Sequence, residues 1–388
     1  MSRPTLEVAD LIRAQGNRFL DRYRSSFSFQ QLKVFRAIQN CRTAALGGHL
    51  DSCSRCGHQA ISYNSCRNRH CPKCQTQARQ RWLAAREQEV LPTAYFHVVF
   101  SVPHELNVLA LENPRCFYDL LFAAASATLL EVAANPKRLG AEIGVIAILH
   151  TWGQNLLLHP HLHCVVPTGG FAPGRSHWVS AKNDFFLPIP VLRKVFRGKF
   201  VAGLKRLRQR SKLCRRGPAR IFADLKQWPS CSGDCICGAG WCTPKPLSAD
   251  PCRCSAILGR YTHRVAISNH RLSAFDGEQV SFQWKDYAHG NAQKLMTLAA
   301  TEFLRRFFLH VLPKGFVRIR HFGFLANRFR TQALAQCRRL LAASPPVATA
   351  NREQTASWLC PHCGAQMEVR QSFTAAELLR RCPALDSS

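Results

Sequence analysis

Acidic side chains are scarce in this chain. Its 388 residues include 23 Asp and Glu against 53 Lys and Arg, a formal net charge of +30. Such an excess attracts polyanions. Nucleic acid is the first candidate, because the basic residues run along the whole sequence and are not gathered in one tail. A solubilising basic surface is the plainer alternative. An anionic membrane surface fits less well, since no long basic amphipathic helix with a clean apolar face stands out. Also missing is any run of about 18 apolar residues, so no membrane span is expected. The opening stretch "MSRPTLEVADLIRAQGNRF" lacks the apolar centre of a signal peptide, and a cytoplasmic protein is expected. There is no internal repeat and no phosphate-cradling glycine loop, so no nucleoside triphosphate is required. What remains is ample for a core: 46% of the residues are hydrophobic, and the length suits two or three domains of about 100–200 residues each.

Cysteine, by contrast, is abundant. There are 19, an odd number, and without a secretion signal they are expected to be reduced thiols, which ranks metal sites above disulfides. Residues 49–74 read "HLDSCSRCGHQAISYNSCRNRHCPKC". Cys53 and Cys56 form one C-x-x-C pair, Cys71 and Cys74 a second. Each such turn points two thiolates at one ion, and two turns complete a tetrahedral structural zinc site. Gly57 suits the tight turn of a knuckle. Cys66, His70 and His49 are alternative or additional ligands. Four thiolates would leave no open coordination position, which argues against catalytic zinc. Arg55, Arg67, Arg69 and Lys73 crowd around these cysteines, and the basic helix-like run "QTQARQRWLAAREQEVL" follows, as expected of a small module that touches DNA.

A third pattern is "HPHLHCVV", residues 159–166, with His159, His161 and His163 at alternate positions. The segments 95–103, 143–150 and 161–166 read as strands of one sheet. Side chains at i and i+2 share a strand face about 7 Å apart, so His161 and His163 point the same way. Pro160 places His159 at the strand's start. Two neutral imidazoles on one face make half of a divalent-metal site; two core histidines satisfied by backbone groups are the alternative. An ion held with open positions can polarise a phosphodiester, and the chemistry then needs a nucleophile. Of six tyrosines, Tyr261 lies in "LGRYTHRVAISN" between Arg260 and Arg264, cations that bind phosphate and favour a phenolate.

Six blocks, "SYNSCRNRHCPKCQ", "YFHVVFSVPHELN", "LHTWGQNLLLHPHLHCVVPTGG", "GRYTHRVAISN", "WKDYA" and "LPKGFVRIRHFGFLANR", together resemble the rolling-circle transposases of the insertion-sequence-ninety-one type. The likeness runs over nearly the whole chain. These are HUH endonucleases of bacterial insertion sequences with an N-terminal transposase zinc-binding domain. The resemblance implies an α+β protein: a zinc-ribbon-like module, then an HUH domain with a central antiparallel sheet flanked by helices. The boundaries expected are 1–92 (helical and zinc-binding), 93–325 (catalytic) and 326–388 (basic tail with a C-x-x-C pair). It implies that His161 and His163 hold Mg²⁺ or Mn²⁺, with His159 or Gln154 as third ligand. It further implies that Tyr261 attacks single-stranded DNA at the element's ends to give a 5′-phosphotyrosine. Arg67, Arg69, Lys73, Arg260, Arg264, Arg318 and Arg320 are the expected DNA contacts, and a nucleoid-associated location follows. The alternative is a zinc-containing DNA-binding relic without cleavage; a zinc hydrolase would leave the charge and "GRYTHR" unused.

Elsewhere, residues 114–134 read as a core helix opened by Pro114, 265–284 as a hairpin turning at "DG", and 291–312 as a helix. "PKGFVRIRHFGFLANRFR" interleaves cations with aromatics, a pattern that suits unpaired bases. Residues 343–357 read as a linker. Beyond it, Cys360 and Cys363 are half of a zinc site, with Cys382 the only later cysteine.

The chain departs from the family pattern in one region. Many members of the family it resembles carry Tyr-x-x-x-Tyr, others a single tyrosine, and here the first position is Ile257. Residues 228–258 hold six cysteines and almost no periodicity. A shifted reading register with free codon choice permits a helix–strand–helix product ending in the missing tyrosine. A pair of compensating frameshifts is therefore the hypothesis, and a sheet deprived of one strand would be left with an open edge. The coding DNA checks it: the codons in use should permit the shifted product, and codons that forbid it dispose of the idea.

Overall fold

The computed structural model describes residues 4–181, 187–214, 242–247, 259, 262, 264–286, 290–342 and 358–381. The chain divides into two compact units that interleave along the sequence. One comprises Met1–Ala78, Ile267–Val311 and Val347–Ser388; the other comprises Arg79–Ala266 and Leu312–Pro346. The division expected from sequence had the last segment standing alone after residue 325. In the structure its first part belongs to one unit and its end to the other.

The first unit opens with α1 (Val8–Tyr23) and α2 (Phe29–Gln39). A reciprocal cap starts α2: Gln31 N–H donates to Ser28 Oγ (3.2 Å), and Ser28 N–H donates to Gln31 Oε1 (2.8 Å). Phe19 packs with Phe27, Phe35 and Phe308, the last from α7 (Ala300–Phe308). A three-stranded antiparallel sheet follows from β1 (Gly48–Cys53), β2 (Gln59–Tyr63) and β13 (Met367–Phe373), with β1 in the centre. The short α9 (Ala375–Arg381) comes after β13. A meander of β9 (Leu272–Phe275), β10 (Gln279–Asp286) and β11 (Ala292–Ala299) completes the unit.

That meander corrects two expectations. The hairpin does turn at Asp276–Gly277, where Asp276 Oδ1 accepts from the N–H groups of Glu278 (2.8 Å) and Gln279 (2.6 Å). Its first arm, however, is β9, and residues 265–268 form no strand. The expected helix over 291–312 is a strand to Ala299 and a helix only from Ala300. Asn291, at φ 62°, cannot sit in a right-handed helix. The apolar residues after it serve ladder pairs such as Gln283 opposite Leu295. A short mixed run of this kind does not distinguish strand from helix by periodicity alone.

The second unit is built on a five-stranded antiparallel sheet in the order β12-β4-β5-β3-β8: β12 (Ile319–Gly323), β4 (Gly144–Trp152), β5 (Leu158–Pro167), β3 (Tyr95–Ser101) and β8 (Cys242–Leu247). A small hairpin pairs β6 (Gly169–Phe171) with β7 (Trp178–Ser180). The helices are α3 (Pro72–Glu87), inside which the boundary between units falls, α4 (Asn107–Glu112), α5 (Pro114–Ala134), α6 (Ile189–Gln209) and α8 (Arg330–Leu340). The whole is a mixture of helix and antiparallel sheet. Apart from β8, the 228–258 segment lies outside the described residues, and so does Ile257. β8 covers the edge of β3 that a lost strand would have left open. Pro244 and Pro246 lie two residues apart, so their missing donors fall on one side of the strand, and an edge strand has one side without a ladder partner.

The strands of this sheet are apolar on both faces, as burial on both sides requires. One face, with Phe96, Val98, Phe100, Val145, Leu149, Leu162 and Cys164, packs against α5 and α6. The other, with Tyr95, Ile146, Ile148 and Val165, packs against Phe171, Phe324 and the Ala333–Cys337 stretch of α8. α5 has the length and composition of a membrane span, yet most of it is buried in the protein. Where α5 meets α6, a Cβ added at Gly203 would stand 2.1 Å from Leu120 Cδ1. Gly203→Val should therefore overpack this contact and lower stability by about 1–3 kcal/mol, read as an earlier midpoint in urea unfolding. An unchanged midpoint would mean that the two helices can part without cost.

Candidate metal centre

The ladder between β4 and β5 sets His150 opposite His161 and Ile148 opposite His163. On the other side of β5, Ser101 faces His161 and Val99 faces His163, with His97 two residues further along β3. Alternation then puts His150, His161, His163 and His97 on one face of the sheet, the face away from α5 and α6. His163, His150 and His97 are buried; His161 is half-buried. His161 Nε2 lies 3.1 Å from His163 Nε2, which lies 3.2 Å from His150 Nδ1. All three nitrogens fall within 4.8 Å of one another.

The remaining nitrogens of His161 and His163 have partners outside the cluster. His161 Nδ1 is 2.6 Å from the His159 carbonyl, so it carries the proton and donates, which leaves Nε2 with its lone pair directed into the cluster. His163 Nδ1 is 2.9 Å from His97 Nε2, an outer partner that leaves His163 Nε2 with its lone pair when His163 Nδ1 is the donor of the two. His150 stacks on Trp152 at 4.6 Å between ring centroids. Burial first, then the neighbouring charges of His159, His97 and Arg264, push His161 down to about 3. Burial, then His150, His161, His97 and Arg264, hold His163 well below the usual histidine range. His161 and His163 are therefore neutral, the form that ligates. Metal–ligand bonds near 2.1 Å put adjacent octahedral donors about 3 Å apart, close to the separations seen. The donor set fits a divalent ion with open positions.

His150 was not among the third ligands expected from sequence. Its signal was present, since "AILHTW" ends the strand that precedes the histidine pair, but only strand pairing shows that it lies opposite His161. His159 is exposed and reaches the cluster through its carbonyl oxygen; its ring centroid is 5.0 Å from that of His161. Gln154 sits in the turn between β4 and β5.

The cations expected to meet DNA divide by circumstance. Arg264 is close enough for its charge to be felt at His161 and His163. Arg318, buried, donates from Nη1 to the Arg264 carbonyl at 2.6 Å. Arg320 is committed elsewhere, paired with Asp119 at 2.5 Å and stacked on Phe122 at 4.2 Å. Lys73 pairs with Glu7, burial lowers the proton affinity of Arg69, and Arg67 is exposed. Arg260 and Tyr261 lie outside the described residues.

The sulfur ligands are shared out differently from the sequence expectation of one site from Cys53, Cys56, Cys71 and Cys74. Cys71 and Cys74, at the start of α3, gather with Cys66 and with Cys41, which follows α2. Their Cys41–Cys74, Cys66–Cys74 and Cys41–Cys71 Sγ separations are all 3.6 Å. A tetrahedral zinc with bonds near 2.3 Å sets sulfurs about 3.8 Å apart, so four thiolates here fit structural zinc. The neighbouring thiols of Cys41, Cys66 and Cys71 lower the proton affinity of Cys74, which favours the thiolate that a metal selects. Cys53 and Cys56 belong to a different group, with Cys360 and Cys363. The reason is local: the Cys53–Cys56 turn caps β1, whose neighbour is β13. His49 faces Asp51 (3.6 Å), and His70 belongs to neither group. Cys41 carried no pairing signal, standing alone in "QNCRT".

Comparison with known proteins adds to this geometry. Residues 11–102 match a family described as "Transposase zinc-binding domain", and residues 144–333 match one described as "Putative transposase". The chain is 46% identical over 392 residues to the "Putative transposase y4qJ" of Sinorhizobium fredii, covering 99% of this chain and 94% of that one. It is 28% identical over 326 residues to the "Transposase for insertion sequence element IS801" of Pseudomonas savastanoi pv. phaseolicola, covering 79% and 73% respectively. No solved structure matches the chain significantly.

Two outcomes are expected of the histidine cluster. Replacing His97 by Phe removes the outer partner of His163 and should weaken Mn²⁺ binding about 10–100-fold, measured by calorimetry; unaltered affinity would deny His97 that role. In the metal-free protein, unfolded histidine takes up a proton near pH 6.5, whereas folded His161 does so only near 3. Between those values the unfolded chain binds more protons, so stability falls as pH falls. His161→Gln should flatten that slope in urea unfolding run from pH 7 to about 4.

Proposed function

The chain belongs to the insertion-sequence-ninety-one-type transposases, with their N-terminal zinc-binding domain, and we propose that it is a DNA-nicking and strand-transferring enzyme. In this reading it cuts single-stranded DNA at the ends of an insertion sequence through a 5′-phosphotyrosine, in rolling-circle transposition. The observation that carries it is the convergence of three imidazole nitrogens on one sheet face, with His161 and His163 each oriented through its other nitrogen.

His161, His163 and His150 are the residues to hold Mg²⁺ or Mn²⁺. Bound there, the ion would polarise a non-bridging oxygen of the scissile phosphate. The chain's own part is to fix the phosphate, keep the imidazoles neutral and supply the nucleophile. Arg264, whose charge reaches the cluster, binds the phosphate from the protein side. Tyr261, three residues before Arg264 in sequence, is assigned as nucleophile. Its phenolic oxygen, losing its proton, forms a bond to phosphorus as the bond from phosphorus to the 3′-oxygen breaks. That oxygen leaves and takes up a proton as a free 3′-hydroxyl. One phosphodiester is exchanged for another, so a later attack by a 3′-hydroxyl can release the tyrosine and rejoin DNA without an external energy source. A single tyrosine suffices for the first cut, and Ile257 stands where a second would be. The cluster of Cys41, Cys66, Cys71 and Cys74 serves as structural zinc and takes no part in the chemistry.

The test is a covalent-adduct assay with labelled single-stranded DNA from the element's ends and Mn²⁺. The protein should give a denaturation-resistant adduct, absent from Tyr261→Phe and from chelator-treated samples. His163→Ala should reduce it about 100-fold or more, as expected when several kcal/mol of charge stabilisation are removed. DNA bound without any adduct would overturn the reading.

A further inference from the structure

The cysteine group left over from the zinc-binding domain has its own architecture. β1 ends at Cys53, and the chain turns through Cys53-Ser54-Arg55-Cys56-Gly57. Gly57 N–H donates to the Cys53 carbonyl (3.0 Å), Cys53 N–H donates to the His58 carbonyl (2.8 Å), and Gly57 has φ 72°. Far along the sequence, Cys360-Pro361-His362-Cys363-Gly364 makes the same turn. Gly364 N–H donates to the Cys360 carbonyl (2.9 Å), Cys360 N–H donates to the Ala365 carbonyl (2.7 Å), and Gly364 has φ 71°. The positive φ is why glycine follows each second cysteine.

The two turns face one another. Cys53 Sγ is 3.5 Å from Cys363 Sγ, and Cys56 Sγ is 3.5 Å from Cys360 Sγ. These separations are far too long for a disulfide, about 2.05 Å, and near the roughly 3.8 Å edge of a zinc–thiolate tetrahedron. His58 and His362 stack at 4.1 Å between centroids beside the sulfurs. The carrying strands pair antiparallel from Gly48 opposite Phe373 to Cys53 opposite Met367, and Met367 is buried with Cys53 and Cys360. This is a ribbon of two like knuckles whose halves come from opposite ends of the sequence. The family match for zinc binding stops at residue 102, so it includes only half of these ligands.

We propose that Cys53, Cys56, Cys360 and Cys363 bind a second structural zinc ion. The chain then carries two per molecule, and the second clasps residues 358–381 onto β1. All four ligands are thiolates and no position is left open, so the ion's work is to hold, not to react.

The test uses the full chain without DNA, so its outcome is independent of the nuclease reading. Elemental analysis should give two zinc ions per chain, and the paired substitution Cys360→Ser with Cys363→Ser should give one. The cadmium-exchanged unsubstituted chain, which removes any question of a misfolded variant, should show two cadmium NMR resonances in the all-thiolate range. One zinc per unsubstituted chain, two zinc ions surviving in the substituted protein, iron in place of zinc, or a single cadmium resonance would each overturn the proposal.

Discussion

The register between β4 and β5 is the constraint on which the histidine centre depends. With His150 opposite His161, three ring nitrogens converge on one face. A slip of one residue would turn β5 over. His161 and His163 would enter the core beneath α5 and α6, and Leu162 and Cys164 would take their place. That slip is prevented by what lies beneath, not by the histidines. Leu162, Cys164 and Val166 on one face of β5, and Val165 on the other, are each buried in an apolar cluster that a shifted register would empty. The reactive geometry is thus held by packing energy in residues that take no part in the chemistry.

A basic protein is a poor host for a cation, and this chain carries a formal net charge of +30. The three-imidazole cluster includes no carboxylate. Two features reconcile these facts with a metal centre. Burial keeps His161 and His163 uncharged, so they add no repulsion. In the proposed reading the compensating negative charge comes from the DNA phosphate, so ion and substrate would favour each other's binding. The same positive field that disfavours a lone cation attracts the strand.

Much of this was legible in the sequence, and the failures have physical causes. β3, β4, β5 and α5 were readable because their apolar runs are long and their ends are marked by turns or proline. His161 and His163 were readable because alternation is a local property. His150 was not, since its partnership depends on which strand lies beside which. The sulfur sites misled for the same reason: Cys53, Cys56, Cys71 and Cys74 are neighbours in sequence, but β1 takes β13 as its partner and carries the first pair away with it. The strand over 292–299 was hidden by a run whose apolar spacing serves either period, and only the left-handed Asn291 before it marked the break.

The pairing of β1 with β13 also has a consequence in time. Cys56 and Cys360 are separated by 304 residues. At about 5–20 residues per second, the ribosome makes the second knuckle roughly a quarter of a minute to a minute after the first. Through that interval β1, the central strand of its sheet, has one neighbour and an open side. The N-terminal unit therefore cannot complete itself as it emerges, and its closure reports that translation has passed Phe373. A chain broken off earlier keeps β1 with an open edge ready to pair with another strand, and Cys53 and Cys56 without the thiols that face them.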